Sequence, residues 1–437
     1  MVDTTSDGPL EELLDFPLVE AINGRRARRF GTGMEIPSGP LSYRSAEDPV
    51  PLTDLEQAIL VAAGTGVSGW NFGVPFGPDR PDAHAHYTQR FTGRTAPTAA
   101  GLGTPVLFFT DDEGCHVTNT RDAPPSSMRE LRQGATDIRR TIDVCRDHTT
   151  RLTDTRLDLP ARPPHMLPPN LWMANTAGST LFMPVGDASE QLLGILTIGL
   201  ANRTMVIDDR AGRPAGELDQ FVRSGLLDAD SRAPLSVLQQ MAYEGNCSEL
   251  DFMAHNIVLT MQGMGLGGLF FNGLNRWSVL GAFAGDGIRG LGFRFERDDR
   301  WTMPNPVGLD GVYEPLVPPY QPDMHAAARV FADRKFGPGG AYDPATPGPW
   351  RDSELVKRGV EPYTEEFVEC LGEVAQYVYD TYGRFPADFT TVVLTGFVQA
   401  VHIDTDYYDR FYRDGSYLPT HARHWERWHE GIEVARP

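Results

Sequence analysis

Lysine is almost missing from this chain: Lys335 and Lys357 are the only two among 437 residues. Positive charge therefore comes from arginine, whose planar fork suits phosphate and carboxylate partners. Acid outweighs base, and a formal net charge of −20 opposes a phosphate backbone, so no nucleic-acid partner is expected. Cysteine is scarce as well. Cys115, Cys145, Cys247 and Cys370 lie far apart and form no C-x-x-C pair, so they suggest neither a zinc site nor a disulfide scaffold. They read as buried free thiols in a reducing compartment. No uninterrupted apolar stretch approaches the ~20 residues of a membrane span. Met1 to Gly8 is polar and acidic, without the apolar core of a signal peptide. These absences point to a soluble, cytoplasmic protein with no membrane partner. There is no G-x-S-x-G, no P-loop and no G-x-G-x-x-G followed by an acidic residue, which leaves hydrolase, NTPase and Rossmann readings without support.

What is present is enough apolar side chain for a real core, 41% of residues, over a length that favours two units or one unit with insertions. Residues 9–30 read as a helix with Pro17 inside it. Thr53 followed by Glu56 is a capping box, opening a helix whose apolar face is Leu55, Ile59, Leu60 and Ala63. Thr65 to Pro78 reads as a surface loop and Val106 to Thr110 as a central strand. Ser127 to Arg156 reads as one long charged helix. Leu192 to Leu200 is apolar throughout and too short to separate buried helix from buried strand. The clearest helix runs from Ser248 to Met264, with Leu250, Met253, Ala254, Ile257, Val258 and Met261 on one face and Gly265 to Gly268 ending it. A second follows a glycine- and proline-rich linker, with Tyr363, Phe367, Cys370, Leu371, Val374 and Val378 in register. Composition changes near residue 325, dividing a main domain, 1–325, from a C-terminal extension, 326–437, that packs on it.

Several residues are candidates for chemistry. Arg25 and Arg28 are three apart, so on a helix they share a face and can converge on one phosphate. A solvated basic patch offsetting Glu11, Glu12 and Glu20 is the alternative. Asn71, with Ser68 beside it, offers the donor and acceptor that the polar edge of a heteroaromatic ring needs, although turn chemistry uses the same residues. Gly265 and Gly267 permit close backbone approach; a helix C-cap accounts for one of them. His402, Asp404, Asp406, His421, His424 and His429 crowd the C-terminus, yet no H-E-x-x-H or other spaced ligand motif is present. No metal ligand is assigned. His402, Asp404 and His421 are expected to be hydrogen-bonding partners under an aromatic cover, and His84 and His86 to be solvated.

Three segments, in this order, resemble the nitroreductase family. Arg25-Arg26-Ala27-Arg28-Arg29-Phe30 is similar to its R-S-x-R-x-F, and Ser68-Gly69-Trp70-Asn71 to its P-S-x-x-N-x-Q-P-W loop. His255-Asn256-Ile257-Val258-Leu259 with Gly263-Met264-Gly265-Leu266-Gly267 is similar to its Q-N-x-x-L-A-A-x-x-x-G-L-G helix. The resemblance implies an α+β fold: a mostly antiparallel central sheet flanked by helices, with two subunits intertwined as a homodimer around FMN. It implies cofactor contacts from Arg25, Arg26 and Arg28 to the phosphate. Ser68, Asn71 and Gly73, with Gly265, Leu266 and Gly267, would lie along the ring. The activity it implies is an FMN-dependent oxidoreductase that takes hydride from NAD(P)H and reduces a small aromatic or quinone-like acceptor. The flavin carries that chemistry, so no catalytic side chain is assigned. Arg26 stands where the family has serine, Val67 where it has proline, and Gly73 where it has glutamine. A flavin-free binding or accessory protein of the same fold is the alternative, and a metal-dependent enzyme using the C-terminal histidines is a third reading.

Overall fold

The computed structural model describes residues 8–75, 88–98, 101–124, 128 and 135–429. Its centre is one antiparallel sheet of β1 (Val106–Thr110), β2 (Cys115–Thr118), β3 (Thr149–Thr153), β4 (Thr180–Asp187), β5 (Gly267–Phe271), β6 (Val392–Val393) and β7 (Phe397–Val401). The spatial order is β5-β7-β4-β1-β2-β3, with β6 paired to the end of β4. Strands β1, β4 and β7 are buried on both faces, which explains their continuous apolar runs. Alternation sorts the side chains. Leu107, Phe109, Phe182 and Val398 join Leu60, Met253 and Ile257 on one side, while Phe108, Met183 and Phe397 join Met173, Val279 and Phe293 on the other.

The helices that matter here are α1 (Gly8–Asp15), α2 (Leu18–Gly24), α3 (Asp54–Thr65), α4 (Ala135–Asp147), α5 (Ala188–Ala201), α6 (Leu235–Met264), α7 (Met324–Phe336), α8 (Glu365–Tyr382), α9 (Thr405–Phe411), α10 (Pro419–Ala422) and α11 (His424–Trp428). Helix α6 begins at Leu235, not at Ser248. Gly245 interrupts the apolar pattern, but Leu235, Leu238 and Ala242 carry it into a separate core with α5, α7 and α8. One helix therefore spans two cores. It ends as its sequence requires: Gly265 has φ 80°, and the N–H groups of Gly265 and Leu266 both donate to Met261 O. A Cβ on Gly265 would lie 2.3 Å from Thr420 O, so the position needs glycine for space and for conformation.

Four expectations are corrected. Residues 9–30 are two helices, because Pro17 stands at the N-cap of α2. The chain leaves α2 at Gly24 and is extended at Arg25 (φ −60°, ψ 123°), so Arg25 and Arg28 share no helix face. Residues 149–153 are the edge strand β3, since α4 stops at Asp147; Ser127 lies outside the described residues. Within the expected loop, Val67–Trp70 pairs with Thr92–Arg94, and residues 76–78 lie outside the described residues. The apolar segment from Leu192 to Leu200 is helix, inside α5.

The boundary expected near residue 325 does not divide the sheet. Strand β7 enters between β5 and β4, where Gly267 faces Val401 and Phe182 faces Val398. The C-terminal third thus supplies an interior strand. Among the described residues, no helix is long and apolar enough to cross a membrane.

Candidate metal centre

The capping box at the start of α3 holds Glu56 in place. Glu56 N donates to Thr53 Oγ1 at 3.3 Å, while Thr53 N and Oγ1 donate to Glu56 Oε2 at 2.7 and 2.9 Å. With Oε2 so occupied, Oε1 faces the interior. There it meets His424 Nε2 at 3.0 Å, His402 Nε2 at 3.3 Å and His429 Nε2 at 3.3 Å. One ligand atom from each of the four residues lies within 4.8 Å of the others, and all four residues are buried.

Three parts of the fold deliver these groups. His402 follows β7 directly, so the interior of the sheet positions it. His424 opens α11 and His429 follows its end. The tail carrying them is pinned against the end of α6, where Thr420 Oγ1 donates to Gln262 O at 2.8 Å. Trp425 covers the cluster, with its ring 4.8 Å from that of His402 and 4.7 Å from that of His429.

The protons decide what this arrangement is for. His402 Nδ1 lies 2.9 Å from Val50 O and His424 Nδ1 lies 2.8 Å from Met264 O. A carbonyl oxygen only accepts, so both Nδ1 atoms carry protons, and in the neutral ring each Nε2 is a lone pair. Burial pushes the His424 imidazole below its usual pKa, with Glu56 opposing only in part, which favours the neutral ring. Burial would push the Glu56 carboxyl up, but hydrogen bonding from His402, His424 and His429 more than offsets it, to well below the usual carboxylate range. Such a bond needs a proton on Nε2, which a neutral ring anchored through Nδ1–H does not carry. A neutral ring anchored in this way presents an Nε2 lone pair to the carboxylate oxygen, a contact that only a second proton or a cation makes attractive. A cation among the four atoms turns every one of these contacts attractive. Anchoring Nδ1–H on a carbonyl while Nε2 stays open is also how metal-ligating histidines are oriented.

Three imidazole nitrogens and one carboxylate oxygen suit first-row transition metals; no thiolate is present to select a softer ion. A tetrahedron with ~2.0–2.1 Å bonds has edges of about 3.3–3.4 Å. The three Oε1–Nε2 separations, 3.0 to 3.3 Å, are close to that edge.

The residues expected to hold a flavin are placed differently. Arg25 and Arg26 are exposed, and Arg26 Nη1 donates to the carbonyls of Asn23 and Arg25. Arg28 is buried, with each guanidinium nitrogen bonded inward: Nε to Ser416 O, Nη1 to Gln262 Oε1 at 2.7 Å, and Nη2 to Gly24 O. Gly265, Leu266 and Gly267 do come to Arg28, for Gly268 N donates to Arg28 O at 2.6 Å and a Cβ on Gly267 would sit 3.0 Å from that oxygen. Ser68, Asn71 and Gly73 belong to a separate hairpin. Asn71 N donates to Phe91 O, and a Cβ on Gly73 would meet Phe91 and Thr88. No hydrogen bond or ring contact among the described residues joins the two groups. These residues do not fit FMN as the resemblance arranges them, because a phosphate grip needs an open guanidinium and Arg28 has none.

Asp404 caps α9, accepting from Tyr407 N and from Ser45 Oγ, and His421 Nδ1 accepts from Leu418 N; both stand outside the four-residue centre. His84 and His86 lie outside the described residues. Sequence reading took Glu56 only as a helix cap. The local signal that could have been used is His424-x4-His429, a spacing common in metal sites.

No family model matches the chain, and no curated protein matches it. Among solved structures, a "putative nitroreductase" of Ralstonia eutropha JMP134 is similar over 63% of this chain and 75% of its own, with 14% identity and a TM-score of 0.28. So slight an overlap carries no argument about the site.

Proposed function

We propose that this protein is a metalloprotein holding one transition-metal ion, best matched by zinc(II), on Glu56, His402, His424 and His429. The observation that carries this reading is the convergence of three buried Nε2 atoms on one buried carboxylate oxygen, with two of the rings anchored through Nδ1 on backbone carbonyls. Four protein ligands leave no open coordination position, so the ion is structural. It ties the segment after β7 and the tail around α11 to the start of α3. Structural zinc in small domains contributes about 10–16 kcal/mol of apparent binding energy, which is ample to decide whether a tail docks. Elemental analysis of the purified protein should give one equivalent of metal per chain. His402→Ala, His424→Ala and His429→Ala should each empty the site and lower thermal stability. A protein that arrives metal-free, takes up no zinc in a titration and melts like the three variants would overturn this reading.

The second reading is an FMN-dependent oxidoreductase that uses NAD(P)H to reduce a small aromatic or quinone-like acceptor, working as a homodimer. The observation in its favour is a cavity of about 770 Å³ where Arg26, Arg29 and Arg413 meet the rings of Phe30, Trp172 and Tyr407. Exposed Leu14, Leu18, Val19 and Ile22 on α1 and α2 support a subunit contact. The closed fork of Arg28 favours the flavin-free relative. The visible absorption spectrum of the purified protein separates them, since bound oxidised flavin is yellow.

A further inference from the structure

A cavity of about 740 Å³ opens beside the N-terminal half of α6, away from every group discussed so far. Two arginines face it from aromatic platforms. The Arg276 guanidinium lies 4.4 Å over the ring of Trp277, and that of Arg384 lies 5.3 Å over Trp301. The platforms are themselves anchored, for Trp277 Nε1 donates to Pro304 O at 3.1 Å and Trp301 Nε1 to Tyr382 O at 2.9 Å. A guanidinium stacked on a ring keeps its N–H edges free for a ligand and loses less rotational freedom when one arrives.

Neither arginine makes a direct ion pair among the described residues. The Arg276 side chain bonds that of Tyr243, and Arg384 donates from Nε to Ala387 O at 3.0 Å. The carboxylate lining the cavity, Asp388, is already bound by Arg210 and by Gln239 Nε2. In a chain of formal net charge −20, a half-buried arginine without an ion pair, Arg276, is out of place, and the Asp388 beside Arg384 is already shared with Arg210. Burial lowers the Arg384 pKa, with Asp388 opposing it and Arg210 adding to it. The other wall is apolar and partly open. Tyr243 and Phe389 meet edge to face at 5.0 Å, and Tyr243 and Met303 are 37% and 36% exposed.

We infer that this cavity binds a small organic phosphate bearing a planar ring, with the phosphate on Arg276 and Arg384 and the ring against Tyr243 and Phe389. A phosphate dianion brings three terminal oxygens and more charge than a carboxylate, which suits two guanidinium forks. The volume suits a mononucleotide-sized ligand. The site shares no residue with the metal centre and stands independently of it.

Calorimetry and tryptophan fluorescence with AMP, UMP, adenosine and inorganic phosphate test the inference. AMP or UMP should bind saturably, with adenosine and inorganic phosphate each at least about ten-fold weaker, the loss expected when a charge-assisted bond or a ring contact is removed. Arg276→Ala and Arg384→Ala should each weaken nucleotide binding by about ten-fold or more. Arg276→Lys should retain part of it. Arg276→Ala keeps the test valid even if Arg384→Ala fails to fold. Absence of nucleotide binding at millimolar concentration, adenosine binding as tightly as AMP, or unchanged binding in Arg276→Ala would each overturn it.

Discussion

Replacing Glu56 by glutamine separates the two tasks of that side chain. Glutamine still satisfies a capping box, so the start of α3 keeps its reciprocal bonds with Thr53. What is lost is the negative charge on Oε1. If an ion sits among Glu56, His402, His424 and His429, its affinity falls steeply. With free metal at about 1,000 times the dissociation constant, losing the ion removes about 4.1 kcal/mol of stability. An unfolding entropy of about 2.1 cal/mol/K per residue over 437 residues is about 0.9 kcal/mol/K, so the melting temperature should drop by about 4–5 °C. If no ion is bound, the sign reverses. The new amide N–H can donate to the Nε2 of a neutral His402 or His424 ring, so the variant should melt at or above the native temperature. Scanning calorimetry with added zinc, with chelator and with neither reads the difference. Chelator should destabilise the native protein and leave Glu56→Gln unchanged. A variant that melts higher than native, in a native protein indifferent to chelator, refutes the metal centre.

Three further outcomes are expected. Lys335 is buried against the rings of Phe336, Tyr342 and Tyr363, and burial lowers its pKa to about 7. The unfolded chain therefore binds this proton more tightly than the folded one, so this group's contribution to stability should fall as pH drops from about 10.5 to 7 and then level off. Lys335→Met should flatten that slope in urea titrations at several pH values; an unchanged slope refutes it. Gly265→Ala should cost about 1–3 kcal/mol, because the residue has φ 80° and its new Cβ meets Thr420 O; an unshifted urea midpoint would count against the packing of α10 on α6. Ending the chain at residue 391 removes β7 from between β5 and β4, so the product should aggregate on expression; a soluble truncated protein with native near-ultraviolet dichroism would contradict the sheet order.

Local patterns were legible and long-range assembly was not. The helix around Met253 and Ile257, its glycine stop at Gly265, the capping box at Thr53 and the strand at Val106 follow from periodicity, φ preference and hydrogen-bond geometry within a few residues. The paired arginines misled because spacing alone assumes a continuing helix. Pro17 and the exit at Gly24 broke it, and Arg28 turned inward to Gln262. The histidines misled in the opposite direction. Their types were visible, but His402 and His424 are separated by 22 positions and Glu56 lies near the other end of the chain.

By itself the sequence determined a core-forming, arginine-rich acidic chain with both helices and strands, since composition and periodicity act on each segment separately. Only the tertiary structure decided that the C-terminal third would enter the sheet through β7, because strand order is chosen by which faces can be buried together. It alone brought a helix-capping carboxylate under three imidazoles. Whether a carboxylate caps a helix, binds an ion or does both depends on what lies within about 4 Å of each oxygen, and that distance is set by the fold.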